Sequence, residues 1–172
     1  MFAIVKLIQS LLGALHSEGT PGQLAAGIAL GSILGLTPLV NLHNAVVFAL
    51  ILLLNVSFAG GMLGWAVFVP VGFVLDPLFD WIGHQLLFAE ALRSVWTTLY
   101  NMPIAPLTNF NNTVVLGSLG FALLFCVPLF FLARWAVTRY RATIGERVRQ
   151  SKWYRAVTAS KFYNVYRLFK PQ

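Results

Sequence analysis

Charge is what this chain has least of. Only 10% of its 172 residues are Asp, Glu, Lys or Arg, whereas 58% are apolar and the mean hydropathy is +0.76. Soluble domains carry about 25% charged residues. A chain this poor in charge cannot cover a folded surface with water-compatible groups, which excludes an ordinary soluble globule and a disordered segment. Cysteine is nearly missing too. Cys126 stands alone in an apolar run, so a disulfide-stapled secreted module is excluded and the thiol reads as a small packing group. Catalytic signatures are lacking: there is no Gly-x-Ser-x-Gly elbow, no phosphate-binding glycine loop and no His-Glu-x-x-His. A non-enzyme with no cofactor and no metal is expected. What remains is an all-α, polytopic integral membrane protein.

The few charges are unevenly spread. Ten of the twelve Lys and Arg lie from Arg134 onward, where Glu146 is the only acid, so that segment carries +9 and the first 133 residues carry −2. Positively charged flanks stay in the cytoplasm. The basic amphipathic tail, residues 134–172, is therefore expected to be cytoplasmic, with Arg134, Arg139, Arg141, Arg147, Arg149, Lys152 and Arg155 against an anionic leaflet. Nucleic acid would be attracted by the same charges. No separate nucleic-acid fold accompanies them, and membrane lipids are the expected partner.

Residues 1–133 form the expected membrane domain. Residues 1–17 read as an interfacial helix, with Ile4, Leu7, Ile8, Leu11, Leu12 and Leu15 at helical spacing; a core helix packed on the rest fits as well. The first six residues do not read as part of a cleaved signal peptide. A helix start follows, with Thr20 as N-cap, Pro21 in the first position and Gln23 completing a capping box. From Gly19 to Leu75 there are 57 residues without a formal charge, or ~85 Å of helix against a hydrocarbon core of about 30 Å. Residues 20–79 must therefore enter the bilayer more than once. Pro38, Asn55-Val56-Ser57, Pro70 and Asp76-Pro77 break the stretch into Gln23–Leu36, Leu42–Leu54 and Gly61–Leu75. Each piece is shorter than the ~20 residues of a comfortable span, so re-entrant helices are expected, with cramped full spans as the alternative. Residues 80–100 read as an amphipathic helix and 101–112 as a loop. Thr113 to Ala133 gives the one clean transmembrane helix. If both ends are cytoplasmic, residues 21–100 cross an odd number of times.

Three constellations stand out. Gly27, Gly31 and Gly35, four residues apart, make a smooth helix face for close packing, inside the chain or in a homo-oligomer. Pro38, Asn41, His43 and Asn44 put polar groups near membrane depth. They line a polar cavity, or they cap backbone groups freed at Pro38. Asp76, Asp80 and His84, at i, i+4 and i+8, share one face if the segment is helical. They relay a proton or hold a cation, or they mark where the segment leaves the membrane.

The run Gly27-Ile28-Ala29-Leu30-Gly31-Ser32-Ile33-Leu34-Gly35-Leu36-Thr37-Pro38, followed by Leu42-His43-Asn44, resembles an uncharacterised bacterial membrane family, the domain of unknown function numbered 2062. The resemblance covers roughly residues 18–95. A later Asn-Pro step associated with that family is replaced here by Phe68-Val69-Pro70-Val71-Gly72. The whole layout resembles a proteobacterial subgroup, which implies a larger uncharacterised envelope protein as partner and a role near envelope lipids and glycans. At the level of layout alone, the chain is also similar to re-entrant lipid scramblases.

The expectation is thus a multi-pass protein of the bacterial inner membrane with both termini cytoplasmic. Its expected role is a non-enzymatic subunit of a phospholipid transport system that supports the larger partner. Two other readings stay open: a small ion-coupled transporter or channel using Asp76, Asp80 and His84, and a membrane anchor or scaffold without transport activity.

Overall fold

The computed structural model describes residues 19–143, and every regular element among them is helical. The interfacial helix expected over 1–17 and the tail beyond Thr143, with Arg147, Arg149, Lys152 and Arg155, lie outside the described residues. Five α-helices follow one another: α1 (Pro21–Leu36), α2 (Leu42–Leu53), α3 (Phe58–Leu87), α4 (Arg93–Tyr100) and α5 (Thr113–Thr143). Short 3-10 turns at Glu90–Leu92 and Ala105–Thr108 flank α4.

α1 starts where its cap chemistry requires. The Gln23 amide donates to Thr20 Oγ1 at 3.2 Å, and the Thr20 amide donates to Gln23 Oε1 at 2.8 Å. It stops at Thr37, whose extended backbone (φ −101°, ψ 150°) is what a residue before proline prefers. α2 returns to the start of α1. There the Gln23 side chain donates to Asn55 Oδ1 at 2.8 Å, and the Ser57 amide donates to the Gln23 carbonyl at 3.0 Å. Thus α1 and α2 form a hairpin with both feet at one end of the bundle.

α3 then rises parallel to α1, because the glycines let the two backbones touch. A Cβ on Gly31 would overlap the Gly61 carbonyl, and one on Gly64 the Ile28 carbonyl. Further up, a Cβ on Gly72 would lie 2.7 Å from the Gly35 oxygen. Gly27, Gly31 and Gly35 are therefore spent on packing within the chain. A second seam joins α3 to the antiparallel α5, where Gly83 meets the Thr113 backbone and Gly117 meets that of Phe79. Phe79 is fully buried in this seam and continues into a ring ladder: Phe79–Phe121 at 5.4 Å, Phe121–Phe125 at 5.6 Å and Phe125–Phe68 at 5.8 Å. Leu24, Leu63 and Val137 close the other end, where Arg141 Nη1 donates to the Gly19 carbonyl at 2.7 Å. The two described ends therefore meet.

Two expected boundaries are corrected. Pro70 and Pro77 do not break the third segment, and α3 runs through both for 30 residues. Each proline costs one backbone hydrogen bond but keeps a helical φ. Close packing on both sides of Pro70 and Pro77, at Gly64 and Gly72 against α1 and at Phe79 and Gly83 against α5, holds the helix together. The amphipathic helix expected over 80–100 is divided. Residues 80–87 belong to α3, and only Arg93–Tyr100 forms a separate helix. The apolar run ends at Ala133, and α5 continues past Arg134 to Thr143. Apolarity marks what can sit in lipid, whereas a helix persists through any residues with adequate propensity.

α3 and α5 are each long and apolar enough to cross a membrane. Only 28% of the most apolar stretch of either is buried, unlike the core helix of a soluble protein. Phe73 and Val74 on α3 and Leu124, Val127 and Phe131 on α5 point outward. An apolar belt of this extent is unusual on a water-facing surface.

Candidate functional site

The hairpin tip is built by side chains that close their own backbone. Asn44 is buried, and its Nδ2 donates to the Pro38 carbonyl at 2.7 Å and the Leu39 carbonyl at 3.3 Å. Its Oδ1 lies 2.7 Å from the Thr37 hydroxyl, which also reaches the Ile33 carbonyl at 2.8 Å and donates to one of the two at a time. Asn41 Nδ2 donates to the Pro38 carbonyl at 2.8 Å. From the loop before α5, Asn109 Nδ2 donates to Asn41 Oδ1 at 2.6 Å. Asn109 reaches it from a left-handed backbone (φ 55°), a conformation asparagine tolerates better than most residues. Asn41 and Asn44 therefore act as caps for the turn at Pro38. His43 stays out of this network: both ring nitrogens are buried, with no hydrogen-bond partner among the described residues.

The tip ends part-way along α3. Gly35 and Leu36 lie against Gly72, and residues 73–87 of α3, ~22 Å of helix, continue past that level. α2 packs mainly on α1 and little on α3. A cleft of about 970 Å³ opens between α2 and α3 under the Ala105–Thr108 turn. Its walls are apolar: Leu34 from α1, Phe48 from α2, Met62 and Trp65 from α3, and Leu107 from the turn. Asn41, Asn44 and Asn109 sit at its tip end, and no charged residue among those described lines it. The volume is at the upper end of the ~300–1,000 Å³ range of small-molecule sites.

The acidic face lies elsewhere. Asp76, Asp80 and His84 all fall on α3, as the helical spacing requires, but none lines the cleft. Asp80 is exposed and its Oδ1 accepts a hydrogen bond from the Thr113 hydroxyl, pinning α3 to the first turn of α5. His84 is exposed and its ring lies 4.4 Å from that of Phe88. No group of three or more metal-ligating side chains occurs among the described residues. At the opposite end Arg134 and Arg139 are exposed, while Arg141 holds Gly19.

Several residues of this region carry no advance signal in the sequence. Met62, Trp65 and Phe48 belong to no motif there. Asn109 is one of four asparagines in an expected loop, and its bond to Asn41 joins positions 68 apart. Arg141 reads as a lipid-contacting cation, and its bond to the Gly19 carbonyl just ahead of α1 has no signal in the sequence.

Comparison with known proteins agrees with the glycine and proline pattern. The family described as "Uncharacterized protein conserved in bacteria (DUF2062)" matches residues 6–144, well beyond the 18–95 expected from the motif alone. An "Uncharacterized protein" of Treponema pallidum (strain Nichols) is 30% identical over 151 residues, covering 86% of this chain and 91% of the relative. No solved structure matches the chain. With the match running from before α1 to the end of α5, the chain belongs to the DUF2062 family of uncharacterised bacterial proteins.

Proposed function

We propose that this protein is a non-enzymatic subunit of the bacterial inner membrane that loosens phospholipid from the bilayer for a larger envelope partner. In this reading α1–α2 is a re-entrant hairpin, and the cleft beside it is where lipid is held. The observation that carries the reading is the cleft itself: apolar walls, amides at one end, and one wall, α2, that packs little on α3. α1 and α2 are ~24 Å and ~18 Å long, short of a ~30 Å hydrocarbon core. Irregular backbone inside a bilayer must find its own hydrogen bonds, and Asn41, Asn44 and Asn109 supply them at the tip. The Arg134–Arg141 end is taken as cytoplasmic by the bias of basic flanks. The partner rests on the resemblance of the layout to a subgroup paired with a larger envelope protein.

The test is lipid release. Vesicles holding the full-length protein and a trace of fluorescent phospholipid are mixed with acceptor vesicles, and transfer is timed. The proposal expects transfer several-fold faster than from vesicles carrying an unrelated helical membrane protein. Equal rates with correctly folded protein would contradict it.

A further inference from the structure

We infer that the α2–α3 cleft holds one acyl chain of a diacyl phospholipid, with the ester end at Asn41 and Asn109 and the chain end at Met62 and Trp65, and without regard to headgroup charge. This deepens the lipid-handling reading and rests on it. Three observations fix the occupant. First, the lining is uncharged throughout among the described residues. A charged headgroup finds no counter-ion there, whereas a hydrocarbon chain loses nothing by entering. Second, polarity is confined to one end. Asn41, Asn44 and Asn109 lie at the hairpin tip, and Met62 and Trp65 lie toward the start of α3. An occupant that matches must be polar at one end and apolar along its length, as an acyl ester is. Third, α2 shows the same character outside the cleft: Val46, Leu50 and Leu53 are exposed, so a chain enters sideways from surrounding lipid.

The direction follows from the bundle. Arg141 holds the start of α1, and the amides stand at the other end of that helix. The bound lipid therefore points its ester away from the arginines. By the bias of basic flanks it belongs to the outer leaflet of the inner membrane. The Asn109–Asn41 bond spans the polar end, and the ester carbonyl competes with Asn41 Oδ1 for the Asn109 amide.

The experiment uses full-length protein in phosphatidylcholine vesicles containing trace photoactivatable lipid. One probe carries its diazirine beside the ester and the other at the chain terminus. Each is made with a phosphatidylcholine and a phosphatidylglycerol headgroup. Adducts are mapped by peptide mass spectrometry. The ester-side probe is expected to label residues 39–42 and 107–109, and the chain-end probe residues 62–65. A single cation at the site would favour phosphatidylglycerol by about fivefold; the expected ratio is near one, at low and high salt alike. Ala45→Trp, at an exposed position on the cleft wall, is expected to cut labelling of 62–65 several-fold. If that variant fails to fold, the probe pair on the native chain still decides. Reversed labelling, no labelling of either segment, or a salt-sensitive preference for phosphatidylglycerol would overturn the inference. Lipid transfer measured on the same vesicles separates the two claims. Fast transfer with the wrong labelling sinks the cleft assignment alone, and correct labelling without fast transfer sinks the transport reading while leaving the site.

Discussion

Helices α1 and α2 are both short, lie side by side and are strongly apolar, with α2 the more apolar of the two. Yet ten of the sixteen residues of α1 are buried, against three of the twelve of α2. Hydrophobicity does not separate them. Size does: α1 carries Gly27, Gly31 and Gly35 along with Ala25, Ala29 and Ser32, so α3 and α5 close on it from two sides. α2 carries Val46, Phe48, Leu50, Leu52 and Leu53, bulk that holds a neighbour off and stays exposed. Where the surroundings are as apolar as the side chains, burial follows close backbone approach. The space that α2 leaves is the cleft.

The sharpest way to break this comparison is to give α1 the bulk of α2. Gly31→Leu would drive a side chain into the Gly61 and Trp65 backbone and is expected to cost ~3 kcal/mol or more, read as loss of monodisperse, thermally stable protein in detergent. Gly120→Ala is its control. A Cβ there meets only the tip of Leu86 at 3.8 Å, and melting should barely change. Next comes the one point where α2 is firmly held. Ile51 is 2% exposed against Gly61, and Ile51→Ala is expected to cost ~2–4 kcal/mol. Leu53→Ala on the outer face should stay within about 0.5 kcal/mol. Equal effects at the two positions would show that both faces of α2 are packed.

Smaller effects test the tip. Asn44→Ala removes the donor to the Pro38 carbonyl and is expected to cost ~1–3 kcal/mol. Faster protection loss in hydrogen exchange should be confined to residues 37–45. Thr20→Ala removes one half of the capping box and should cost ~1 kcal/mol, seen as fraying of the first turn of α1 with the α3–α5 seam untouched.

The start of α1, its end at Thr37-Pro38 and the close-packing role of its glycines were legible because each depends on neighbours in sequence. Thr20 reads Gln23, Thr37 reads Pro38, and a glycine every fourth residue makes a face whatever packs on it. The course of α3 was not legible. Pro70 and Pro77 carry a local signal to stop, and the tertiary seams that override it involve residues 28–36 and 113–117. The cleft was hidden for the same reason, since Asn41 and Asn109 meet only after α3 and α4 have turned the chain back. The reach of the family match, residues 6–144, agrees with a unit assembled from the whole length rather than from the motif.

The most direct test concerns Val40, which is 91% exposed at the hairpin tip although it belongs to a turn. In a Cys126→Ala background, Val40→Cys is spin-labelled in vesicles, and its collisions with oxygen and with a water-soluble nickel chelate are compared. Leu124→Cys, an outward position on α5, and Glu90→Cys, between α3 and α4, give the lipid and water references. A hairpin ending inside the bilayer predicts that Val40 behaves like Leu124, with oxygen contact high and nickel contact low. Nickel contact at Val40 equal to that at Glu90 would put the tip in water and contradict the account.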